Sequence, residues 1–152
     1  MLSVTFTLNG QAVTAETHPG QTLLEYLRSI GIFSVKFGCG TGECGTCTVL
    51  VDNQAMNACL LLMPALENRQ VETLEALEAD ATLSGLQERF IDEGAIQCGY
   101  CTPGMLLSLT ALLREDPTPD GEAVRDALNG NLCRCTGYVK PVGAAEKFVL
   151  SK

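Results

Sequence analysis

Eight cysteines form two sets of four, and their spacing is the feature of this chain that points most directly to a chemistry. The first set follows C-x4-C-x2-C-x11-C and the second follows C-x2-C-x31-C-x-C. In chain order they are Cys39, Cys44, Cys47 and Cys59, then Cys98, Cys101, Cys133 and Cys135. Four converging thiolates form a metal or cluster site, and the first spacing is typical of plant-type 2Fe–2S ferredoxins. The pattern therefore predicts electron transfer.

Glycines surround the first three cysteines in the run FGCGTGECGTCTV. Glycine lets a backbone wrap closely and direct its N–H groups at a negatively charged group. A four-cysteine zinc site is the main alternative, because CxxC is a usual half of such a site. Zinc sites tend to pair one short knuckle with another, whereas three of these cysteines share one loop. The loop therefore favours a 2Fe–2S cluster over zinc.

Three other uses of cysteine fit this chain less well. Disulfide-dense scaffolds are usually short and poor in core, whereas this chain has 152 residues and 46% hydrophobic content. A thioredoxin-like pair at Cys98 and Cys101 would leave Cys133 and Cys135 unexplained. Rieske ligation needs two histidines per cluster, and His18 is the only histidine.

Composition limits the partners and the compartment. The formal charge is −8, from 10 Lys and Arg against 18 Asp and Glu, and no basic face for a nucleic acid is visible. The longest apolar run, 58–63, is too short to cross a bilayer, and the start MLSVTFTLNG lacks the features of a secretory signal. We therefore expect a cytoplasmic chain with no nucleic-acid partner and no membrane span, the alternative being a periplasmic complex exported by a partner's signal. The acidic stretch 67–80 predicts a solvated linker, the alternative being a surface that faces a partner.

The elements around the first set predict an α+β unit. Apolar and polar residues alternate on both sides of Asn9-Gly10, a type I′ turn signal, which predicts a β-hairpin. The run 21–30 places its apolar residues on one helical face. The cysteine loop follows this helix, and strands are expected over 48–51 and 71–77. The loop would thus lie between a helix and a strand.

From about residue 82 the apolar periodicity becomes helical, which predicts an all-α second half. Thr102 is the expected N-cap of one helix, with Pro103 at its first position. We place the domain boundary between residues 76 and 77, which gives domains 1–76 and 77–152. In chain order the four helices are expected to begin at Leu83, Pro103, Pro119 and Pro141.

The runs FGCGTGECGTCTV, QCGYCTPGM and NLCRCTGY together resemble the iron–sulphur small subunit of molybdenum hydroxylases, the xanthine dehydrogenase and aldehyde oxidoreductase family. The resemblance covers nearly the whole chain. It implies an N-terminal β-grasp, plant-type ferredoxin-like domain followed by an all-α four-helix-bundle domain, each with one 2Fe–2S cluster. It also implies part of an oxidoreductase that is not itself catalytic, since no motif positions a general base or a nucleophile.

The same resemblance implies roles for single residues. Gln97 and Cys135 would contact the pterin of a cofactor held by a partner subunit, although on the residues alone Gln97 would be a turn cap. Two ligand sets are implied. The cluster nearer the flavin would be bound by Cys39, Cys44, Cys47 and Cys59, and the cluster nearer molybdenum by Cys98, Cys101, Cys133 and Cys135.

The implied function is electron relay between the molybdopterin site of a large subunit and FAD or an external acceptor. The implied partners are that molybdopterin-binding subunit and an FAD-binding subunit. The alternative is a free-standing two-cluster ferredoxin-like shuttle. A soluble shuttle needs no helical domain that fixes a second centre at a set distance, so the sequence favours the subunit.

Overall fold

The computed structural model describes residues 1–151, and their side chains everywhere except at residues 77–79. Lys152, the last residue of the predicted second domain, lies outside the described residues. Within them no helix is long and apolar enough to cross a bilayer. The strands are β1 (Leu2–Leu8), β2 (Gln11–Thr17), β3 (Thr48–Val51), β4 (Gln54–Asn57) and β5 (Gln70–Glu72). The helices are α1 (Leu23–Ser29), α2 (Ala81–Asp92), α3 (Thr102–Glu115), α4 (Gly121–Leu128) and α5 (Val139–Leu150), with 3₁₀ helices at Met63–Leu66 and Leu74–Ala79.

The strands form one mixed sheet in the order β2-β1-β5-β3-β4. β1 pairs antiparallel with β2 and parallel with β5. Asn9 and Gly10, between β1 and β2, have φ of 51° and 79°, the positive values that a type I′ turn requires. The predicted hairpin is therefore confirmed. With the helices of the second half, the sheet also confirms the predicted α+β class.

The last strand is shorter than expected. β5 ends at Glu72, whereas the sequence predicted a strand as far as residue 77. The backbone N–H of Thr73 donates to Asn9 Oδ1 at 2.9 Å, so an asparagine side chain takes the hydrogen bond that a neighbouring strand would otherwise receive. A 3₁₀ helix follows at once.

The four helices of the second half are confirmed, although α2, α3 and α5 begin one or two residues earlier than predicted and α4 begins two residues later, at Gly121. α3 has Cys101 as its N-cap and Thr102 as its first helical residue, so Thr102 is not the cap. α5 begins at Val139, two residues before Pro141. Proline is tolerated in both helices because each proline lies in the first turn, where its missing N–H has no helical partner.

Buried apolar residues form one cluster in each half, and β3 contributes to both. Val49 and Val51 lie in the cluster of the first half, whereas Leu50 lies in that of the second. All four residues of β3 are buried, and β3 packs against α3. The sheet of the first half is thus covered by a helix of the second, which fixes the cysteine loops relative to each other.

The acidic stretch 67–80 is not the solvated linker that the sequence predicted. Arg114 on α3 lies 2.5 Å from Glu72 and 2.8 Å from Asp80, and it also donates to Asn53 Oδ1 at 2.7 Å. All three ion-paired side chains are largely shielded from solvent. The Arg114 contacts with Glu72 and Asn53 therefore join the two halves, and the contact with Asp80 anchors the start of α2 to α3.

Candidate metal centres

The first three cysteines lie in a loop between α1 and β3 whose path depends on glycine. Gly40, Gly42 and Gly45 have φ of 70°, 82° and 67°, in the left-handed region that glycine adopts without steric cost. A side chain at Gly42 would also collide with Leu60. The loop therefore coils tightly, and its N–H groups point inward.

Cys39 lies at the centre of this loop. Its Sγ accepts the backbone N–H groups of Thr41 and Glu43 at 3.3 Å and of Cys44 at 3.4 Å. Hydrogen bonds from the Thr41 hydroxyl and from the N–H groups of Thr41 and Cys44 lower the pKa of Cys39 to about 5. Cys44 Sγ in turn accepts the N–H of Cys39 at 3.4 Å. The loop thus favours the thiolate, the form of cysteine that binds metals.

Cys47 and Cys59 form the other side of this site. Cys47 directly precedes β3 and is 2% exposed. Cys59 follows β4. Burial raises the pKa of Cys47 to about 12, partly offset by the backbone N–H of Cys59, and the Cys59 and Cys44 sulphurs raise it further. The structure therefore brings the four cysteines together as two neighbouring pairs, Cys39 with Cys44 and Cys47 with Cys59.

The second set is assembled from two separate connections. Cys98 and Cys101 lie between α2 and α3, and Cys133 and Cys135 lie between α4 and α5. Burial raises the pKa of Cys101 to about 12, and a hydrogen bond with Cys133 adds to it. A hydrogen bond with Cys98 raises the pKa of Cys135. These cysteines therefore also meet as two pairs, each with one member from each connection.

Side-chain hydroxyl groups surround Cys133. The Thr136 hydroxyl lies 3.1 Å from Cys133 Sγ, and the backbone N–H of Thr136 donates to it at 3.5 Å. Burial alone would raise the pKa of Cys133, but these hydrogen bonds outweigh it and lower the pKa to about 7. The Tyr138 hydroxyl accepts the N–H of Cys133 and donates to the carbonyl of Asn131, both at 3.0 Å.

The pairing of the cysteines fits a two-iron cluster. All eight are free thiols, which disfavours a disulfide framework. In the part of the chain that the structure describes, no three His, Cys, Asp or Glu side chains form a group that could hold a single metal ion, so the cysteines of each set meet as pairs and not around one point. Zinc binds all its ligands at one tetrahedral centre, whereas a 2Fe–2S cluster takes two protein ligands at each of its two irons. Pairs of cysteines with inward N–H groups suit the second arrangement better.

Parts of both sites reach the surface. Cys39, Cys98 and Cys135 are exposed. Gln97 is also exposed, and its side chain makes no hydrogen bond to any other residue that the structure describes. The turn-cap alternative for Gln97 therefore has no support, and the side chain is accessible to a partner.

Sequence reasoning missed the residues that hold the second site in shape. Thr136 and Tyr138 were part of the NLCRCTGY run, but nothing in the spacing indicated which hydroxyl would contact which cysteine. Asn131 is buried among polar partners. A fully buried asparagine beside a cysteine motif cannot be told from a turn asparagine without the fold.

Two family models match the chain. A 2Fe-2S iron-sulfur cluster binding domain matches residues 6–84, and a [2Fe-2S] binding domain matches residues 73–146. The two matches overlap over residues 73–84, so they leave the predicted boundary between residues 76 and 77 untested. Each match contains one complete set of four cysteines.

Three related proteins match along most of their own length. The nicotinate dehydrogenase small FeS subunit of Eubacterium barkeri is 42% identical over 99% of this chain and 96% of its own. The xanthine dehydrogenase iron-sulfur-binding subunit of Escherichia coli O157:H7 is 45% identical over 90% of this chain and 87% of its own. In a solved structure, quinoline 2-oxidoreductase from Pseudomonas putida 86, one chain superposes with a TM-score of 0.91 at 38% identity, covering 99% of this chain and 94% of that one. The chain belongs, as its motifs predicted, to the family of iron–sulphur small subunits of molybdenum hydroxylases.

Proposed function

We propose that the chain relays electrons between the molybdopterin site of a large subunit and FAD or an external acceptor, through two 2Fe–2S clusters. The observation that supports this most directly is the convergence of eight free cysteines into two sites of two pairs each. When bound, each cluster supplies a centre that takes up and releases an electron. The chain contributes to an oxidoreductase without containing its catalytic residues.

The first site would hold the cluster nearer the flavin, and the second site the cluster nearer molybdenum. Backbone N–H groups at the first site, and the Thr136 hydroxyl and N–H at the second, donate to cysteine sulphurs and so stabilise the negative charge of a bound cluster. The first-site ligands would be Cys39, Cys44, Cys47 and Cys59. The second-site ligands would be Cys98, Cys101, Cys133 and Cys135.

Gln97 and Cys135 would contact the pterin of the partner's molybdenum cofactor. Both residues are exposed, and Cys135 lies beside Cys98, the residue that follows Gln97. The Gln97 amide therefore has free donors and an acceptor at the surface where the second site opens. The partners would be a large molybdopterin-binding subunit and an FAD-binding subunit.

Metal analysis and co-purification test this function. Iron and acid-labile sulphide should each reach about four per chain, as two clusters require, with two distinct paramagnetic signals after reduction. The chain should also co-purify with a molybdopterin-containing subunit through high salt, because a buried apolar interface is screened little. Stoichiometric zinc would contradict the cluster assignment, and a fully loaded chain that never binds a partner would favour a shuttle.

A further inference from the structure

A buried asparagine lies between the two cysteine sites. Asn131 follows α4 and is 2% exposed. Its Nδ2 donates to the carbonyl of Gly45 at 3.0 Å and to Thr48 Oγ1 at 3.2 Å. Its Oδ1 accepts from the hydroxyl of Ser108 on α3 at 2.8 Å. The amide orientation is fixed by these partners, because the Gly45 carbonyl can only accept a hydrogen bond.

The backbones of the two halves touch around this amide. A side chain at Gly45 would collide with the carbonyl of Gly130, and a side chain at Gly104 would collide with the carbonyl of Gly45. The N–H of Leu132 donates to the carbonyl of Cys44 at 2.9 Å. Three segments, each next to a cysteine of one site or the other, therefore meet at one point. The loop of the first site is thus packed against the segment that leads to Cys133.

We propose that Asn131 is a positioning residue for electron transfer between the two sites. The proposal rests on the proposed function, because it requires a redox centre at each site. Among the described residues, the Asn131 side chain bonds to Ser108, Gly45 and Thr48 and to no cysteine sulphur. It holds the segment that leads to Cys133 against the loop that contains Cys44. Electron transfer falls steeply with the separation of two centres, so the amide keeps the transfer efficient by fixing that separation.

Asn131→Asp tests the contact with a side chain of nearly the same shape. The carboxylate can still accept from Ser108, but it has no N–H for Gly45 and places an oxygen against the carbonyl. Losing this buried hydrogen bond should raise the equilibrium constant for separation of the two loops about tenfold or more. Asn129→Asp is the matched control, since Asn129 is exposed and its side chain bonds only to Asp126. It adds the same charge two residues away.

The measurement uses the full chain loaded with both clusters and fully reduced. The magnetic splitting between the two reduced centres reports their separation. The rate at which electrons equilibrate after partial reduction reports their coupling. With iron content unchanged, Asn131→Asp should give a weaker, broader splitting and several-fold slower equilibration, while Asn129→Asp matches the wild type. An Asn131→Asp chain with full iron and both wild-type values would overturn the proposal.

A milder variant decides the question if Asn131→Asp fails to load its clusters. Ser108→Ala removes only the hydroxyl that orients the amide oxygen, so it should broaden the splitting less. If Ser108→Ala loads both clusters and keeps the wild-type splitting and rate, Asn131 has no positioning role. A wild-type chain that binds no iron is a different result, because it contradicts the proposed function instead.

Discussion

The two cysteine sites bring four cysteines together in different ways. At the first site, a single glycine-rich loop supplies three of the four cysteines, and its own backbone N–H groups donate to Cys39. At the second site, two connections separated by 31 residues in sequence meet, and the hydroxyls of Thr136 and Tyr138 hold Cys133 and its backbone in place. The first site is shaped by local backbone geometry and the second by the packing of helices.

This difference determines how each site should respond to a substitution. A local loop needs little from the rest of the fold, so a defect in its cysteines should stay local. A site assembled by helices depends on those helices being packed. The sites still touch through Asn131 and Leu132, so the comparison concerns what builds each site and not whether they are in contact.

The largest expected effect comes from removing one ligand of the first site. Cys44→Ser should lower the iron content from about four to about two atoms per chain, as loss of one of two clusters requires, and leave one paramagnetic signal. The second site should persist, because none of its cysteines lies in the altered loop. Cys101→Ser is the matched variant and should remove the other signal. Loss of both signals from either variant, with the far-ultraviolet circular dichroism unchanged, would show that the ligand sets are divided wrongly.

The same difference explains what could be predicted from the sequence. The Asn9-Gly10 hairpin, the glycine loop and the helical periodicity of the second half are local signals, and the structure confirms the elements they predicted. The double burial of β3 and the role of Asn131 depend on how the two halves meet. No local signal encodes such a contact. The acidic stretch was misinterpreted for the same reason, since Arg114 comes 34 residues after Asp80.

Arg114→Met should lower the free energy of unfolding by about 1.5–3 kcal/mol, the range for hydrogen bonds to charged groups, because it removes the contact with Glu72 across the two halves and the contact with Asp80 at the start of α2. Burial alone would raise the pKa of Asp80, but the hydrogen bond from Arg114 and the N–H groups of Leu83 and Thr82 lower it below the ordinary value of 3.8. A carboxyl with a depressed pKa stabilises the fold above its unfolded pKa and loses that effect as pH falls through its folded pKa. The Arg114→Met deficit should therefore be full at pH 7 and shrink below about pH 4.

Urea titrations at pH 7 and pH 3.5 measure this deficit. Arg125→Met is the control, because the Arg125–Glu146 pair is 3.3 Å long with Arg125 61% exposed, and such pairs contribute under about 1 kcal/mol. Equal effects of the two variants at pH 7 would show that Arg114 does not join the halves. A deficit that is unchanged at pH 3.5 would mean that Arg114 acts through packing and not through Asp80.

Among these variants, Gln97→Ala should change the stability and cluster content of the chain least. Its effect should be on cluster reduction or cofactor retention in the assembled enzyme. Gln97→Ala removes an exposed side chain that bonds to no other described residue, so both clusters should assemble with unchanged stability. In the complex, the pterin group that Gln97 would bond is left unpaired, at a cost of about 1–3 kcal/mol. The clusters should then be reduced more slowly by substrate, or the cofactor should be retained less well, while reduction by dithionite is unchanged.

Gln11→Ala provides the control, because Gln11 is exposed at the start of β2, and it should leave all these quantities at wild-type values. Wild-type turnover and cofactor content in Gln97→Ala would reduce Gln97 to an ordinary surface residue. Loss of the second cluster would instead assign it a role in shaping the connection between α2 and α3. The second site would then depend on an exposed side chain next to Cys98 as well as on helix packing and hydroxyl groups. The contrast with the first site, which is shaped by its local loop, would be weaker.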